Sequence, residues 1–359
     1  MKTFFVYSLF FGVLAMFLPM QECISQPTSE IKASYSLFDK TTPLEITLSL
    51  DIQRLLEDTS ATTDYMSAIL IEFTNQGKKS EYAVKVKAAG NTRLNENVCD
   101  FPPLRINFKK SELENTTFAG QDKLKLMTHC RETDDFENHV LLEYLAYKSY
   151  TTLTAFSYKV RLVNITYKDL SGKYPETTRI GFFVESDEQM AARVGGQISD
   201  KKIWSADSCN QKMVSLLTLF EFMIGNTDWW INTRHNVDII QLQDGELIPV
   251  PFDFDYSGLV HTPYAIPSKL LPITEVSQRF LKGDCEEIDY YQDAMNTCLA
   301  KKSIILNLIT GETHLDKRAQ KTASNYIEDF FTVIESPGEF KNYIKTACDY
   351  FSNPNSHLK

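Results

Sequence analysis

Two loops rich in Asp and Asn flank one short hairpin pattern in this sequence. The first is GNTDWWINTRHN at residues 225–236, and the second is PFDFD at residues 251–255. Two β-patterned runs lie between the loops and are joined by Asp244-Gly245. Asp-Gly between alternating runs is a strong signal for a tight hairpin turn. The hairpin predicts that the two loops lie side by side.

The surrounding sequence predicts a β-rich front and a helical back. Apolar residues recur at helical spacing over residues 211–224, which predicts an amphipathic helix directly before the first loop. Alternating runs predict further strands at residues 43–55, 68–73, 82–88, 104–108, 123–127, 158–164 and 180–185. Helical spacing predicts helices at residues 133–149, 188–193, 288–306 and 318–334. This order of elements indicates an α+β chain.

Composition and charge exclude several classes of protein. The 359 residues include 47 Asp and Glu against 37 Lys and Arg, for a formal net charge of −10. Because a negative surplus is repelled by phosphate backbones, we expect no nucleic-acid partner. Hydrophobic residues make up 43% and charged residues 23%, which is typical of a globular protein and excludes dominant disorder or coiled coil.

The first residues predict export. Lys2 precedes an apolar run at residues 4–18, and Pro19 follows it, with small residues before Gln26. This pattern is typical of a secretory signal peptide over residues 1–25. The run is shorter than the ~20 residues that span a bilayer, although a membrane anchor is the alternative. We expect an exported protein (periplasmic, cell-surface or secreted) without a stable membrane span.

Six of the seven cysteines remain after the predicted cleavage, and an exported chain can join them as disulfides. Spacing does not define the pairing, but the short loop between Cys285 and Cys298 makes that pair our first expectation. No CxxC pair occurs, so we expect no structural zinc site. For His129-Cys130, a strand-end pair with a structural cysteine is favoured over a thiol or metal site.

The two loops carry the side chains that phosphoryl transfer requires. One carboxylate orients the attacking hydroxyl, while an amide and a second carboxylate hold a divalent ion on the nucleotide phosphates. The first loop holds an Asp and Asn residues, and the hairpin joins it to a further Asp in the second loop. The alternative is an ordinary Asp-rich turn whose carboxylates cap backbone N–H groups.

A strand lysine and a helix glutamate complete such a site. Lys123 and Lys125 fall on one face of an alternating strand, and the next predicted helix contains Glu137 and Glu143. Lys125 would contact the nucleotide phosphates, and Glu143 would hold its ammonium in place. The alternative is a solvated strand face.

Six short blocks follow one another in a characteristic order along the chain. They are GNTR at 90–93, PLRI at 103–106, KLKL at 123–126, GNTDW at 225–229, HN at 235–236 and DFDYSG at 253–258. Over roughly residues 84–300 the chain resembles the spore-coat CotH-type kinases and their exported bacterial relatives. The Asn-Thr-Asp-Trp and Asp-Phe-Asp blocks are the specific parts of this resemblance.

The resemblance implies an atypical protein-kinase-like fold. Its parts would be a β-rich N-terminal extension at residues 26–80, a β-rich N-lobe with one helix at residues 81–186, and a helical C-lobe at residues 187–359. The C-lobe would carry the catalytic loop and the metal-binding hairpin. The implied cofactors are ATP and Mg²⁺ or Mn²⁺.

Residue by residue, the resemblance implies that Asp228 is the catalytic carboxylate and Lys125 the phosphate contact. Asn236 and Asp253 would bind the metal. Asn232 is a rival to Asn236, which stands immediately before the strand as the kinase Asn does. Asp255 is a rival to Asp253. The sequence departs from ordinary kinases in three ways. Asp228 and Asn236 are eight positions apart rather than five, Asp255 stands where a glycine is usual, and no glycine-rich phosphate loop is present.

Two classes of function follow. The first is an exported kinase-like phosphotransferase that moves the γ-phosphoryl group of ATP to a protein or another hydroxyl acceptor. The alternative is a non-catalytic, pseudokinase-type envelope or surface protein, which low ATP outside the cytoplasm favours. A glycosidase with Asp228 and Asp253 as paired carboxylates is a weaker third hypothesis, because it leaves Lys125 and Asn236 unused.

Overall fold

The computed structural model describes residue 1 and residues 37–57, 64–73, 77, 79–200 and 205–352. The predicted signal peptide, Met1 apart, lies outside the described residues. Tyr35–Lys359 form one compact unit. The domain boundaries expected near residues 80 and 186 stay predictions.

Seven strands form a closed barrel in the order β1-β2-β3-β4-β5-β7-β6. These are β1 (Leu44–Leu50), β2 (Met66–Phe73), β3 (Lys79–Ala88), β4 (Leu104–Phe108), β5 (Lys123–Met127), β6 (Val160–Asp169) and β7 (Thr177–Val184). Strands β1 and β6 pair in parallel, whereas the other neighbours are antiparallel. Alternation along each strand separates the barrel core from its outer face: in β3, Val84 and Val86 are buried while Lys85 is exposed.

The closed barrel corrects the expected fold. An atypical protein-kinase-like, two-lobed fold is wrong for this chain, because β1 hydrogen-bonds to both β2 and β6 and closes the sheet. The α+β class is compatible with the structure. Alternation predicted β1 as a strand, but its partner β6 lies more than a hundred residues away, and local sequence carries no signal for such a pairing.

A second sheet and the helices complete the described fold. The sheet has the order β10-β9-β8, from β8 (Gly196–Ile198), β9 (Val237–Leu242) and β10 (Leu247–Pro251). The helices are α1 (Ile52–Glu57), α2 (Asp134–Leu153), α3 (Asp187–Arg193), α4 (Gln211–Ile224), α5 (Gln292–Thr310), α6 (Lys317–Glu335) and α7 (Pro337–Phe351). Strand β8 and helix α1 are additional to the sequence prediction, and residues 52–55 were expected to continue β1. Helix α7 lies in the C-terminal part that was expected to be helical, but it was given no bounds of its own.

Helix α4 confirms the prediction for residues 211–224 and leads into the first loop. Its N-cap Asn210 accepts a hydrogen bond from the Met213 N–H, and its C-cap Gly225 has a φ of 67°. A Cβ at Gly225 would lie 1.9 Å from the Tyr326 hydroxyl, so only glycine fits there. The loop therefore leaves the helix at a fixed angle.

Two disulfides, Cys99–Cys130 and Cys285–Cys348, join distant parts of the chain. The expected Cys285–Cys298 pair is wrong, because Cys298 is buried inside α5 as a free thiol while Cys285 bonds to α7. The structural role predicted for Cys130 is confirmed. The disulfides are compatible with an oxidising, extracytoplasmic environment. None of the helices in the described ranges has the length and apolar character needed to cross a membrane.

Candidate functional site

The first loop is fixed by its own backbone and side chains. The N–H groups of Trp230 and His235 each donate to the other residue's carbonyl, at 2.8 and 2.9 Å. The Asn226 side-chain oxygen accepts the Asp228 N–H at 3.0 Å. Arg234 and Asn236, on either side of His235, adopt φ angles of 54° and 51°. Such strained positions persist only where the surroundings enforce them, and they are concentrated at functional sites.

The Asp228 carboxylate receives two neighbouring side chains of this loop. His235 Nε2 lies 2.9 Å from one carboxylate oxygen. Asn236 Nδ2 donates to the other oxygen at 3.2 Å and to the Asp228 carbonyl at 2.8 Å. The Asp228 side chain is 40% exposed, so the carboxylate is oriented while it remains open to the cleft.

The hairpin brings the second loop against the first, as the sequence predicts. The Phe252 N–H donates to the Asn236 carbonyl at 3.0 Å. The Asp253 N–H donates to the Tyr147 hydroxyl of α2 at 2.9 Å, and Asp253 has a φ of 66°. Phe254 is fully buried with its ring 4.6 Å from that of Tyr147. Asp253 is therefore positioned by α2 as well as by the hairpin.

Lys125 contacts Asp253 rather than Glu143. Its Nζ lies 3.5 Å from Asp253 Oδ1. Within the described part of the chain, Lys125 and Glu143 form no ion pair within 4.0 Å, because Arg93 approaches the buried Glu143 carboxylate instead, at 3.9 Å. The Arg93 side chain also donates to the Thr128 carbonyl at 2.6 Å. Arg93, from the loop between β3 and β4, thus takes the position that we expected Lys125 to occupy beside Glu143.

Buried carboxyl groups interact electrostatically with Asp253. Burial, together with the Asp253 charge, raises the pKa of the Asp255 carboxyl to about 6, while Arg93 opposes the shift. The Tyr264 hydroxyl donates to Asp255 at 2.9 Å. Burial, with the Asp255 charge, also raises the pKa of Glu143 well above its usual value. One buried Glu143 oxygen, Oε1, has no hydrogen-bond partner among the residues that the structure describes.

A divalent cation fits this donor set only with help from a ligand. Among the described residues, no group of three or more His, Cys, Asp or Glu side chains is arranged to hold a metal ion. Mg²⁺ commonly takes only one or two protein carboxylates and completes its coordination with substrate phosphates and water. Asp253, the Asn236 amide oxygen and phosphate oxygens could supply such a shell, since one carboxylate and one amide oxygen suit this mode of binding.

Asn232, the rival to Asn236, does not reach the cleft. Its side-chain oxygen accepts the Ala206 N–H at 3.1 Å. This contact ties the loop to the short segment before α4. Of the two asparagines, Asn236 is therefore the one beside Asp228.

Two adjoining clefts open on the barrel, and both are lined by Arg105 and Lys125. The first, of about 350 Å³, has a cationic wall and an acidic wall, formed by Arg105, Lys123, Lys125, Glu185, Asp187, Glu188 and Asp238 among others. The second, of about 480 Å³, contains the loop residues Asp228, His235, Asn236, Asp253 and Asp255 together with Arg93 and Tyr256.

Arg105 is a site residue to which sequence reasoning gave no role. It lies directly opposite Lys125 in the β4–β5 pairing. Like charges at directly opposed positions destabilise a sheet unless an anion lies between or beside them. Its position in the PLRI block is the available sequence signal. His235 and Arg93 also belong to short sequence blocks, HN at 235–236 and GNTR at 90–93, but the sequence assigned neither of them a role.

Together these side chains can bind an anion on the barrel wall, a cation at the second loop and a hydroxyl group at Asp228. Compared with known proteins, the chain matches no protein-family model and no curated protein.

Proposed function

We propose that this protein is exported and transfers the γ-phosphoryl group of ATP to a hydroxyl acceptor, as its resemblance to the CotH-type kinases implies. The observation that carries the proposal is the 3.5 Å approach of Lys125 to Asp253 beside the Asp228–Asn236 pair. Lys125 comes from the barrel, and Asp253 follows 128 residues later. Lys125, Asp253 and Asp228 thus line one cleft, where they would bind phosphate, the metal and the acceptor respectively.

The two clefts would bind different parts of the reactants. The first would hold the nucleoside part of ATP, with the phosphates against Arg105 and Lys125 at the junction. Asp253 and Asn236 would hold Mg²⁺ or Mn²⁺, with Asp255 beside them, and the ion would neutralise charge on the phosphates. The second cleft leaves room for the acceptor next to Asp228.

Asp228 is the group proposed to act on the acceptor. The hydroxyl oxygen of the acceptor forms a bond to the γ-phosphorus. At the same time the hydroxyl proton passes to the Asp228 carboxylate. The bond between that phosphorus and the bridging oxygen breaks, and ADP leaves with the electron pair. His235 and Asn236 hold the carboxylate in its orientation. Removing a positioned general base typically costs ~10²–10⁴-fold in rate.

Transfer of label from γ-labelled ATP, to the protein itself or to an extract of exported proteins, tests the proposal. Asp228→Asn should retain ATP binding and lose most transfer, whereas Asp253→Asn should weaken metal-dependent ATP binding. Asp244→Asn is a matched control, because Asp244 occupies the opposite end of the same hairpin and accepts the Glu246 N–H there. ATP binding by the unmodified protein without transfer to any acceptor would favour the non-catalytic binding protein.

A further inference from the structure

Lys282 lies behind the first loop and lines neither cleft. Its Nζ donates to the Thr227 carbonyl at 2.8 Å and to the Trp229 carbonyl at 2.6 Å. These two carbonyls flank Asp228 in the chain. The ammonium also lies 5.1 Å from the ring centroid of Trp230 and 5.9 Å from that of Trp229. One side chain therefore donates to the backbone carbonyl on each side of the proposed catalytic residue.

The segment that carries Lys282 is itself held against α4. Arg279 donates to the Phe222 and Met223 carbonyls at the end of that helix, both at 3.2 Å. Gly283 packs on the same helix, since a Cβ there would lie 3.1 Å from a Thr218 methyl group. Lys282 thus joins the loop to the helix from which the loop emerges.

An ordinary surface ion pair does not explain this lysine. Among the described residues, Lys282 has no carboxylate within 4.0 Å. Burial lowers the pKa of its ammonium to about 8, although the charges of Asp228 and Glu221 oppose that shift. A partly buried ammonium is costly unless its hydrogen bonds are made. Among the described residues, Lys282 donates to two carbonyls, and both belong to the Asp228 loop.

We propose that Lys282 is a positioning residue for phosphoryl transfer, which fixes the backbone of Asp228 from behind while His235 and Asn236 orient its carboxylate from the cleft. This inference rests on the proposed function. Lys282 acts on the loop and not on Lys125 or Asp253, so its loss should affect turnover and leave nucleotide binding unchanged. A displacement of about 1 Å in a catalytic group can cost on the order of 10²-fold in rate.

The test compares Lys282→Met and Lys282→Arg with the unmodified protein. Lys282→Met should lower kcat for transfer about 10²-fold and leave KM for ATP within about twofold. Lys282→Arg, which keeps the charge and the donors, should recover most of the lost rate. Lys302→Met is a matched control, because Lys302 also lies over an aromatic ring, that of Phe331 at 5.3 Å, but belongs to neither cleft.

Hydrogen exchange provides a readout that needs no activity. Amide exchange in residues 226–236 should be faster in Lys282→Met than in the unmodified protein, and α5 should be unaffected. If the unmodified protein transfers no phosphoryl group, the proposed function fails, yet this measurement still decides whether Lys282 holds the loop. Unchanged exchange in Lys282→Met, or a kcat equal to that of the unmodified protein, would overturn the inference. So would an equal loss of rate in Lys282→Arg with the fold intact.

Discussion

Acid should destabilise this protein through His129, a buried imidazole at the end of β5. The ring is 1% exposed and stacks on Phe101 at 5.0 Å. Burial lowers its pKa to about 4, while Glu132, 3.4 Å away, opposes the shift and Arg179 and Arg93 add to it. The folded protein therefore excludes a proton that the unfolded chain binds below its ordinary pKa of 6.5.

The sign and the size of the effect follow from this shift. Between pH 6.5 and about 4 the unfolded state binds more protons at His129, so the free energy of unfolding falls as pH falls. At ~1.4 kcal/mol per pKa unit, lowering the pKa from 6.5 to about 4 corresponds to a loss on the order of 3 kcal/mol by pH 4, where the folded-state ring is itself half protonated. At neutral pH both states carry a neutral ring, and the group contributes no such penalty.

Urea unfolding at pH 7 and pH 4 measures the effect. His129→Phe keeps a ring against Phe101 and cannot titrate. The unmodified protein should lose about 3 kcal/mol more than His129→Phe between the two pH values. The same loss in both proteins would refute the reasoning and assign the acid sensitivity to other groups.

Three further predictions concern the cleft, the loop and the cysteines. Lys125→Met should weaken ATP–Mg²⁺ binding on the order of tenfold or more in calorimetry, because a charge-assisted bond is lost. Lys85 is exposed on β3 and lines neither cleft, so Lys85→Met should bind ATP–Mg²⁺ normally. Gly225→Ala should lower the thermal unfolding midpoint by several degrees, since its Cβ would meet the Tyr326 hydroxyl; an unchanged midpoint would contradict the close approach. The denatured, unreduced chain starting at Gln26 should titrate two thiols, Cys209 and Cys298; six would exclude both disulfides.

Local patterns in the sequence predicted most of what positions the site. Short-range periodicity predicted helix α4 and the strand that carries Lys125, and turn chemistry predicted the Asp244-Gly245 hairpin. These elements bring Asp228, Asn236 and Asp253 together, because a hairpin ties the two loops over a short length of chain. The grouping of the three side chains was therefore accessible from sequence.

Long-range pairing was not accessible. The parallel β1–β6 contact closes the barrel across more than a hundred residues, and Cys285 bonds to a cysteine 63 positions away. The exchange of partners at Glu143, where Arg93 replaces Lys125, depends on how the β3–β4 loop folds back over α2. Lys282 lies in a segment without regular structure, so its approach to the Asp228 loop leaves no periodic signal.

A crystal structure with a non-hydrolysable ATP analogue and Mn²⁺, recorded at the manganese absorption edge, tests the central claim most directly. The anomalous signal should lie within coordination distance of Asp253 and the Asn236 side chain, with the phosphates against Lys125 and Arg105 and the nucleoside in the first cleft. Nucleotide bound away from this cleft, or manganese that contacts neither Asp253 nor Asn236, would contradict the proposed site.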